Sequence, residues 1–142
     1  MKFYFAKPED FQEIRNLLKS AKLPIDDVEN GIGHFLLARN EKELIGCIGL
    51  QICGEDALLR SLAVDEKQRN RGLGNALVQE ILEHALRLNL RNIYLLTITR
   101  ESFFKKHGFV NTDRTEAPKS IRDTFQFSSS CPSEAVFMSK AL

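Results

Sequence analysis

Between the apolar run Leu58 to Val64 and a long amphipathic pattern from Leu73 to Leu88 lie six residues, Arg69-Asn70-Arg71-Gly72-Leu73-Gly74. A strand-forming run, a glycine turn and a helix-forming run in that order specify a strand-turn-helix unit at the middle of the chain. The first N–H groups of such a helix have no intrahelical partner, and the aligned peptide dipoles place partial positive charge on them. A phosphate satisfies both conditions, and a pyrophosphate is the occupant expected here. Without Cβ atoms, Gly72 and Gly74 let a ligand approach the backbone, and their freedom in φ lets successive amides converge on one anion. Arg69 and Arg71 supply charge-assisted hydrogen bonds. The same residues would also serve a plain tight turn flanked by solvated arginines.

Spacing excludes two phosphate motifs. A P-loop needs Gly-x-x-x-x-Gly-Lys-Ser/Thr, and the dinucleotide fingerprint needs Gly-x-Gly-x-x-Gly with a distant acidic residue; neither is present. The chain does contain Leu62-Ala63-Val64, then Arg69-x-x-Gly72-x-Gly74, and later Phe103-Phe104-Lys105-Lys106-His107-Gly108-Phe109. In that order and at those separations they resemble the Gcn5-related N-acetyltransferases, the GNAT family. The stretches "LLTITRESFFKKHGF" and "APKSIRDTFQF" are similar to the acetyltransferase domain of N-acetylglutamate synthases. The set "ALLRSLAV", "LLT", "FF" and "CP" resembles the small acetyltransferases associated with arsenic resistance.

Composition is that of one globular domain over residues 1–142, with 43% apolar and 27% charged residues. A net charge of +1 gives no global field for nucleic acid or an acidic membrane. No apolar run approaches the ~18 residues of a membrane span, and the N-terminal "MKFYFAKPEDF" has no signal-peptide core, so a cytoplasmic location is expected. Cys47, Cys53 and Cys131 are odd in number and form no Cys-x-x-Cys, so no disulfide framework or metal site is expected. They read as small buried hydrophobes or free thiols, with arsenite capture by soft thiolates left open.

Along the chain, Lys2 to Ala6 alternates like an edge strand, and Pro8 opens a helix with Phe11, Ile14, Leu17 and Leu18 at helical spacing. Leu23 to Gly31 is a short acidic segment that allows a helical turn. His34 to Arg39, Leu44 to Gln51 and Ala57 to Val64 read as consecutive antiparallel strands. The helix from Leu73 to Leu88 places Leu73, Leu77, Ile81, Ala85 and Leu88 on one core stripe with Val78 and Leu82 beside it, and Asn89 fits its left-handed cap. A strand Asn92 to Thr99, a short helix Glu101 to His107, a strand Phe109 to Thr112, a helical excursion Pro118 to Phe127 and a strand near Ala135 to Ser139 complete the pattern. The Ser-rich stretch Ser128 to Ser133 reads as a turn at Pro132. The resemblance implies an α+β (mixed α/β) GNAT fold: a twisted, mostly antiparallel sheet of about seven strands, splayed between the fourth and fifth, with helices on both faces.

The resemblance also implies acetyl-CoA as donor, a small-molecule amine as acceptor and a site for each. The backbone of Leu62, Ala63 and Val64 would meet pantetheine and the acetyl carbonyl. Arg69, Asn70, Arg71, Gly72, Leu73, Gly74 and Asn75 would hold the pyrophosphate, and Phe104 would lie against the cofactor. Homodimers are common in the family, although nothing in the sequence specifies an interface. An ammonium acceptor must lose a proton before attack, for which Glu55, His107 or a water relay are candidates. Many relatives protonate the departing thiolate with a tyrosine four residues before Gly-Phe. Here that position is Phe104, so either Thr97 or Thr99 substitutes or the thiolate leaves unassisted. Arg60, Ser61 and Arg100 are candidates for the substrate, since an arginine in an apolar strand is costly unless paired and its fork suits a carboxylate. Arg60 could equally face outward. The function implied is N-acetyl transfer to an amino-acid-like amine. A protein or peptide amine acceptor, or an acyl-CoA sensor without catalysis, remains as the alternative.

Overall fold

In the computed structural model, which describes residues 2–26, 28, 34–124, 126–130 and 134–142, seven strands form one sheet in the order β1-β2-β3-β4-β5-β7-β6. The strands are β1 Lys2–Phe5, β2 Phe35–Asn40, β3 Glu43–Cys53, β4 Asp56–Val64, β5 Asn92–Thr97, β6 Val110–Asn111 and β7 Val136–Ala141. Helices α1 Phe11–Ser20, α2 Leu73–Arg87, α3 Glu101–Lys106 and α4 Lys119–Arg122 intervene. The architecture is mixed α/β with a mostly antiparallel sheet, as the sequence leads one to expect. The chain forms two units, Met1–Gln51 with Arg60–His84, and Ile52–Leu59 with Ala85–Leu142.

In the first unit, β1 pairs antiparallel with β2, and β2 with β3 around the two-residue turn Glu41-Lys42. Pro8 opens a single 3-10 turn rather than the helix itself, which starts at Phe11. Asp10 Oδ2 accepts the Lys7 N–H at 2.8 Å, and Arg39 binds both Asp10 and Glu13, at 3.0 and 2.7 Å. Ile14 and Leu18 are fully buried, and Phe11 and Leu17 pack beside them, which is the stripe expected of α1. Along α2, Leu73, Leu77, Val78 and Ile81 are buried at the three- and four-residue spacing of one helix face.

In the second unit, β5 pairs antiparallel with β7 over its whole length, from Asn92↔Ala141 to Thr97↔Val136. By contrast β4 pairs parallel with β5 only from Asp56↔Asn92 to Leu58↔Tyr94. Tyr94 stacks on Phe137 with ring centroids 5.5 Å apart, and Phe127 meets Phe137 edge-on at 5.4 Å. Leu58, Ala117 and Ile121 complete this core. Asn89 takes φ +61, with Leu90 N bonded to Ala85 O and Asn89 N to Leu86 O. That is the two-bond left-handed cap, with asparagine where glycine is usual.

Several boundaries differ from the sequence reading. α2 ends at Arg87, so Leu88, expected on the buried stripe, lies beyond the helix and is 43% exposed. β3 runs on to Cys53 and β7 to Ala141. β5 ends at Thr97, so Ile98 and Thr99 lie beyond the strand. β6 has only Val110 and Asn111. The expected excursion from Pro118 to Phe127 is a one-turn helix between a 3-10 turn, Arg114–Glu116, and a π turn, Gln126–Ser130. The acidic segment to Gly31 and the Ser-rich turn at Pro132 lie partly outside the described residues, and Cys131 lies wholly outside them.

Candidate active site

After Val64 the chain turns once. Asp65 N bonds to Ile45 O at 2.8 Å, a 3-10 turn covers Glu66–Gln68, and α2 begins at Leu73. Asn70 and Gly72 hold positive φ, +66 and +82, on either side of Arg71. The bond from Ala76 N to Gly72 O closes the first helical turn, so the Leu73 and Gly74 N–H groups precede it. Leu73 is buried, and Gly46 admits it: a Cβ on Gly46 would stand 3.1 Å from Leu73 Cδ2 and 3.0 Å from Leu77 Cδ1. The other side of the turn is open. Arg69, Asn70, Arg71 and Gly72 are exposed, and a Cβ on Gly72 would meet no atom within 4 Å among the described residues beyond its chain neighbours.

The two glycines therefore have different reasons to be there. Gly72 supplies the left-handed conformation, whereas Gly74 is the second residue of the helix and needs no special φ. The second left-handed residue is Asn70, whose type tolerates that region. Arg69 is partly committed, because its Nε donates to Val64 O at 3.2 Å and so ties the turn to the end of β4. Arg71 and Asn75 are exposed beside it.

Leu62, Ala63 and Val64 are all buried at the end of β4. Just before them Ser61 has φ +58, which costs a non-glycine residue about 1–2 kcal/mol. Arg60 and Ser61 are both buried, and Arg60 Nε donates to Ser61 Oγ at 3.0 Å. The alternation that would turn Arg60 outward does not hold here. Its stem passes over a glycine: a Cβ on Gly49 would stand 3.2 Å from Arg60 Cγ. Sequence reasoning missed the left-handed Ser61, and an unbroken "LLRSLAV" carries no glycine to signal it.

The second unit holds the remaining candidates. Thr97, 9% exposed, ends β5 and accepts the Arg100 N–H on Oγ1 at 3.1 Å, which leaves its own hydroxyl proton to donate. Thr99 is exposed, and Arg100 is half-buried at the N-terminus of α3. Phe104 is buried, edge-on to Phe103 at 5.1 Å and to Phe109 at 5.8 Å. His107 caps α3 at 5.0 Å from the Phe103 ring; burial, and then the Lys140 ammonium, hold its pKa below the ordinary imidazole value. A Cβ on Gly108 would collide with Lys140 Nζ, and its φ of +91 also reserves that position for glycine. Glu55 is exposed in the turn before β4; its carbonyl accepts Arg91 N at 2.7 Å, and its carboxylate lies 3.7 Å from Arg91 Nε.

Cys47 and Cys53 lie in separate cores, and burial raises both thiol pKa values. Among the described residues no three His, Cys, Asp or Glu side chains are placed to share a metal ion, and no helix is long and apolar enough to cross a membrane.

The acetyltransferase (GNAT) domain model matches residues 31–111. An amino-acid acetyltransferase of Mycobacterium tuberculosis is 32% identical over 82 residues, 57% of this chain and 47% of that protein. An uncharacterized N-acetyltransferase of Chlorobaculum tepidum is 32% identical over 98 residues, 66% of this chain and 63% of that protein. The chain thus spans about half of the first relative's length and less than two thirds of the second's. Among solved structures, a Mycobacterium tuberculosis protein in complex with CoA superposes with a TM-score of 0.83 at 20% identity, covering 100% of this chain and 99% of that one. The N-acetylglutamate synthase of Neisseria gonorrhoeae, complexed with coenzyme A and N-acetyl-glutamate, gives 0.86 at 19%, covering 99% of this chain and 35% of that one. At these identities the structural likeness is one of fold, while the domain match covers more than half of the sequence. The chain belongs to the GNAT acetyltransferases, enzymes that take the acetyl group from acetyl-CoA.

Proposed function

We propose that residues 1–142 act as one acetyltransferase domain that moves the acetyl group of acetyl-CoA to the amine of a small, amino-acid-like substrate. One observation carries the donor side. The left-handed Asn70 and Gly72 lie at the exposed first turn of α2, and among the described residues, chain neighbours aside, no atom stands within 4 Å of where a Gly72 side chain would begin. The pyrophosphate is assigned to the N–H groups of that turn, with Arg71 and the free end of Arg69 adding charge. The backbone of Leu62 to Val64 is assigned to pantetheine and the acetyl carbonyl. For the acceptor, support comes from the relative named an amino-acid acetyltransferase and from the buried Arg60 beside Ser61, whose fork suits a carboxylate.

The reaction is direct. The acceptor ammonium gives up a proton to water or to a base, for which His107, kept neutral by its surroundings, is better suited than Glu55 beside Arg91. Nitrogen attacks the carbonyl carbon, and a strand N–H receives the developing oxyanion. The carbon–sulfur bond then breaks and the acylated nitrogen gives up its second proton, to water where the thiolate leaves as such, or to the thiolate itself where the Thr97 hydroxyl relays it and is reprotonated in the same step. A thiol is acidic enough for unassisted departure. The absence of a hydroxyl at Phe104 also supports a second reading, a sensor that binds acetyl-CoA without turnover.

Free-thiol release from acetyl-CoA, followed across α-amino acids, their decarboxylated amines, polyamines and peptide amines, tests both. Release confined to α-amino acids is the expected result. Binding of acetyl-CoA with no release for any amine would replace the enzyme by the sensor, and release confined to peptides would replace the substrate class.

A further inference from the structure

Consecutive residues of a strand face opposite sides of the sheet. In β4 the side chains of Arg60 and Ser61 are instead bonded to each other, and Ser61 is left-handed. The strand is turned at that residue in the manner of a β-bulge, a conformation that re-aims the backbone groups around it. Two backbone groups beside the turn converge on one atom. Cys47 Sγ, on β3, donates to the Ser61 carbonyl at 3.4 Å, and the Ala63 backbone bonds to the same sulfur. Cys47 and Ala63 are buried together in the core of the first unit.

We propose that Cys47 is a positioning residue for acetyl-CoA: as donor to Ser61 and acceptor from Ala63, its thiol locks the turned conformation of β4 and so sets the backbone of Leu62 to Val64. The ligand in this statement rests on the proposed function; the lock on β4 does not. A thiol suits the place. It both donates and accepts, yet packs among apolar side chains as a small hydrophobe would. Burial pushes its pKa up to about 12, against the Ala63 bond, so the sulfur keeps the proton it donates and is no nucleophile. The same observation accounts for a buried cysteine that the reaction does not use.

Three variants separate hydrogen bonding from packing. Cys47→Ser keeps a donor and an acceptor, Cys47→Ala removes both, and Cys47→Val removes both while filling the space. Two readouts are taken on each folded variant: amide exchange at Ala63 relative to Ile45 and Leu37, and acetyl-CoA affinity by calorimetry. In the Ala and Val variants, loss of the Ala63 bond predicts about tenfold faster relative exchange there, and loss of the pair predicts at least about tenfold weaker acetyl-CoA, with Ser within about twofold of the parent. If Ala does not fold, the Ser and Val pair carries the comparison. Unchanged relative exchange at Ala63 in Val overturns the lock itself. Faster exchange with unchanged acetyl-CoA affinity overturns the positioning role. Failure of the parent chain to bind acetyl-CoA at all would refute the proposed function, and Ala63 exchange would still judge the lock.

Discussion

Replacing Gly72 isolates the energetic content of the turn before α2. At φ +82, with no atom of the described residues beyond the chain neighbours within 4 Å of a new Cβ, Gly72→Ala meets no clash there, and its cost is conformational. That cost is about 1–2 kcal/mol for an L-residue in the left-handed region. For a chain of this length the unfolding entropy is about 0.3 kcal/mol per kelvin, so the midpoint should fall by roughly 3–7 °C. Gly72→Asn should lose less, because asparagine tolerates this region. Gly72→Glu adds a charge as well. A carboxylate about 4 Å from two phosphate charges is opposed by about 1 kcal/mol for each even at the dielectric of water, or about thirtyfold in affinity. The assays are thermal unfolding and calorimetric titration with acetyl-CoA. Destabilisation of Gly72→Ala well beyond about 3 kcal/mol would show that the space is not open. Parental affinity in a folded Gly72→Glu would remove the pyrophosphate from this turn.

Arg60→Ala should raise the KM of a carboxylate-bearing amine at least about tenfold, the loss of one charge-assisted bond, while that of acetyl-CoA moves little. Equal effects on the two, in steady-state kinetics, would reduce Arg60 to its packing over Gly49. Phe104→Tyr should raise kcat modestly if protonation of the thiolate limits turnover, while costing about 1–3 kcal/mol if the buried hydroxyl finds no partner. An unchanged kcat, with the variant folded, would say that the thiolate departs unaided. For His107, whose pKa in the folded chain lies below the ordinary 6.5, the unfolded chain binds more protons just beneath that value. Stability should therefore drop as pH falls through about 6.5 and level off below the folded pKa, and His107→Gln should flatten that drop in denaturant titrations. An imidazole resonance titrating above 6.5, or one that does not rise in Lys140→Gln, would contradict the assigned causes.

Legibility in the sequence followed how local each determinant is. The left-handed cap at Asn89, the turns at Glu41-Lys42 and Gly54-Glu55 and the buried stripe of α2 depend on neighbours within a few residues, and composition announces them. The turn from Arg69 to Gly74 was legible for the same reason, although equal roles for its two glycines were not borne out: a helical glycine and a left-handed one look alike in a sequence. Ser61 was not legible, because the side chain bonded to its carbonyl is that of Cys47, fourteen residues away on another strand. The burial of Arg60 was not legible either, because β4 is an interior strand buried at every residue from Ala57 to Val64, so neither side of the alternation is an outward one. Buried polar residues Thr124 and Gln126 also escaped notice, in a helical excursion whose mixed turn types have no periodic signature.

The placement of β7 between β5 and β6 has a consequence for how this protein is made. Leu95 pairs with Met138, so a strand complete early in synthesis waits for a partner more than forty residues downstream. Loop closure over that span carries an entropic cost, and until it happens β5 presents an unpaired apolar edge, the kind of surface that seeds aggregation. A ribosome-bound chain arrested before Val136 should hold the β1–β2–β3 pairing but not the second unit. That half of the molecule can complete its sheet only once its last strand has left the exit tunnel.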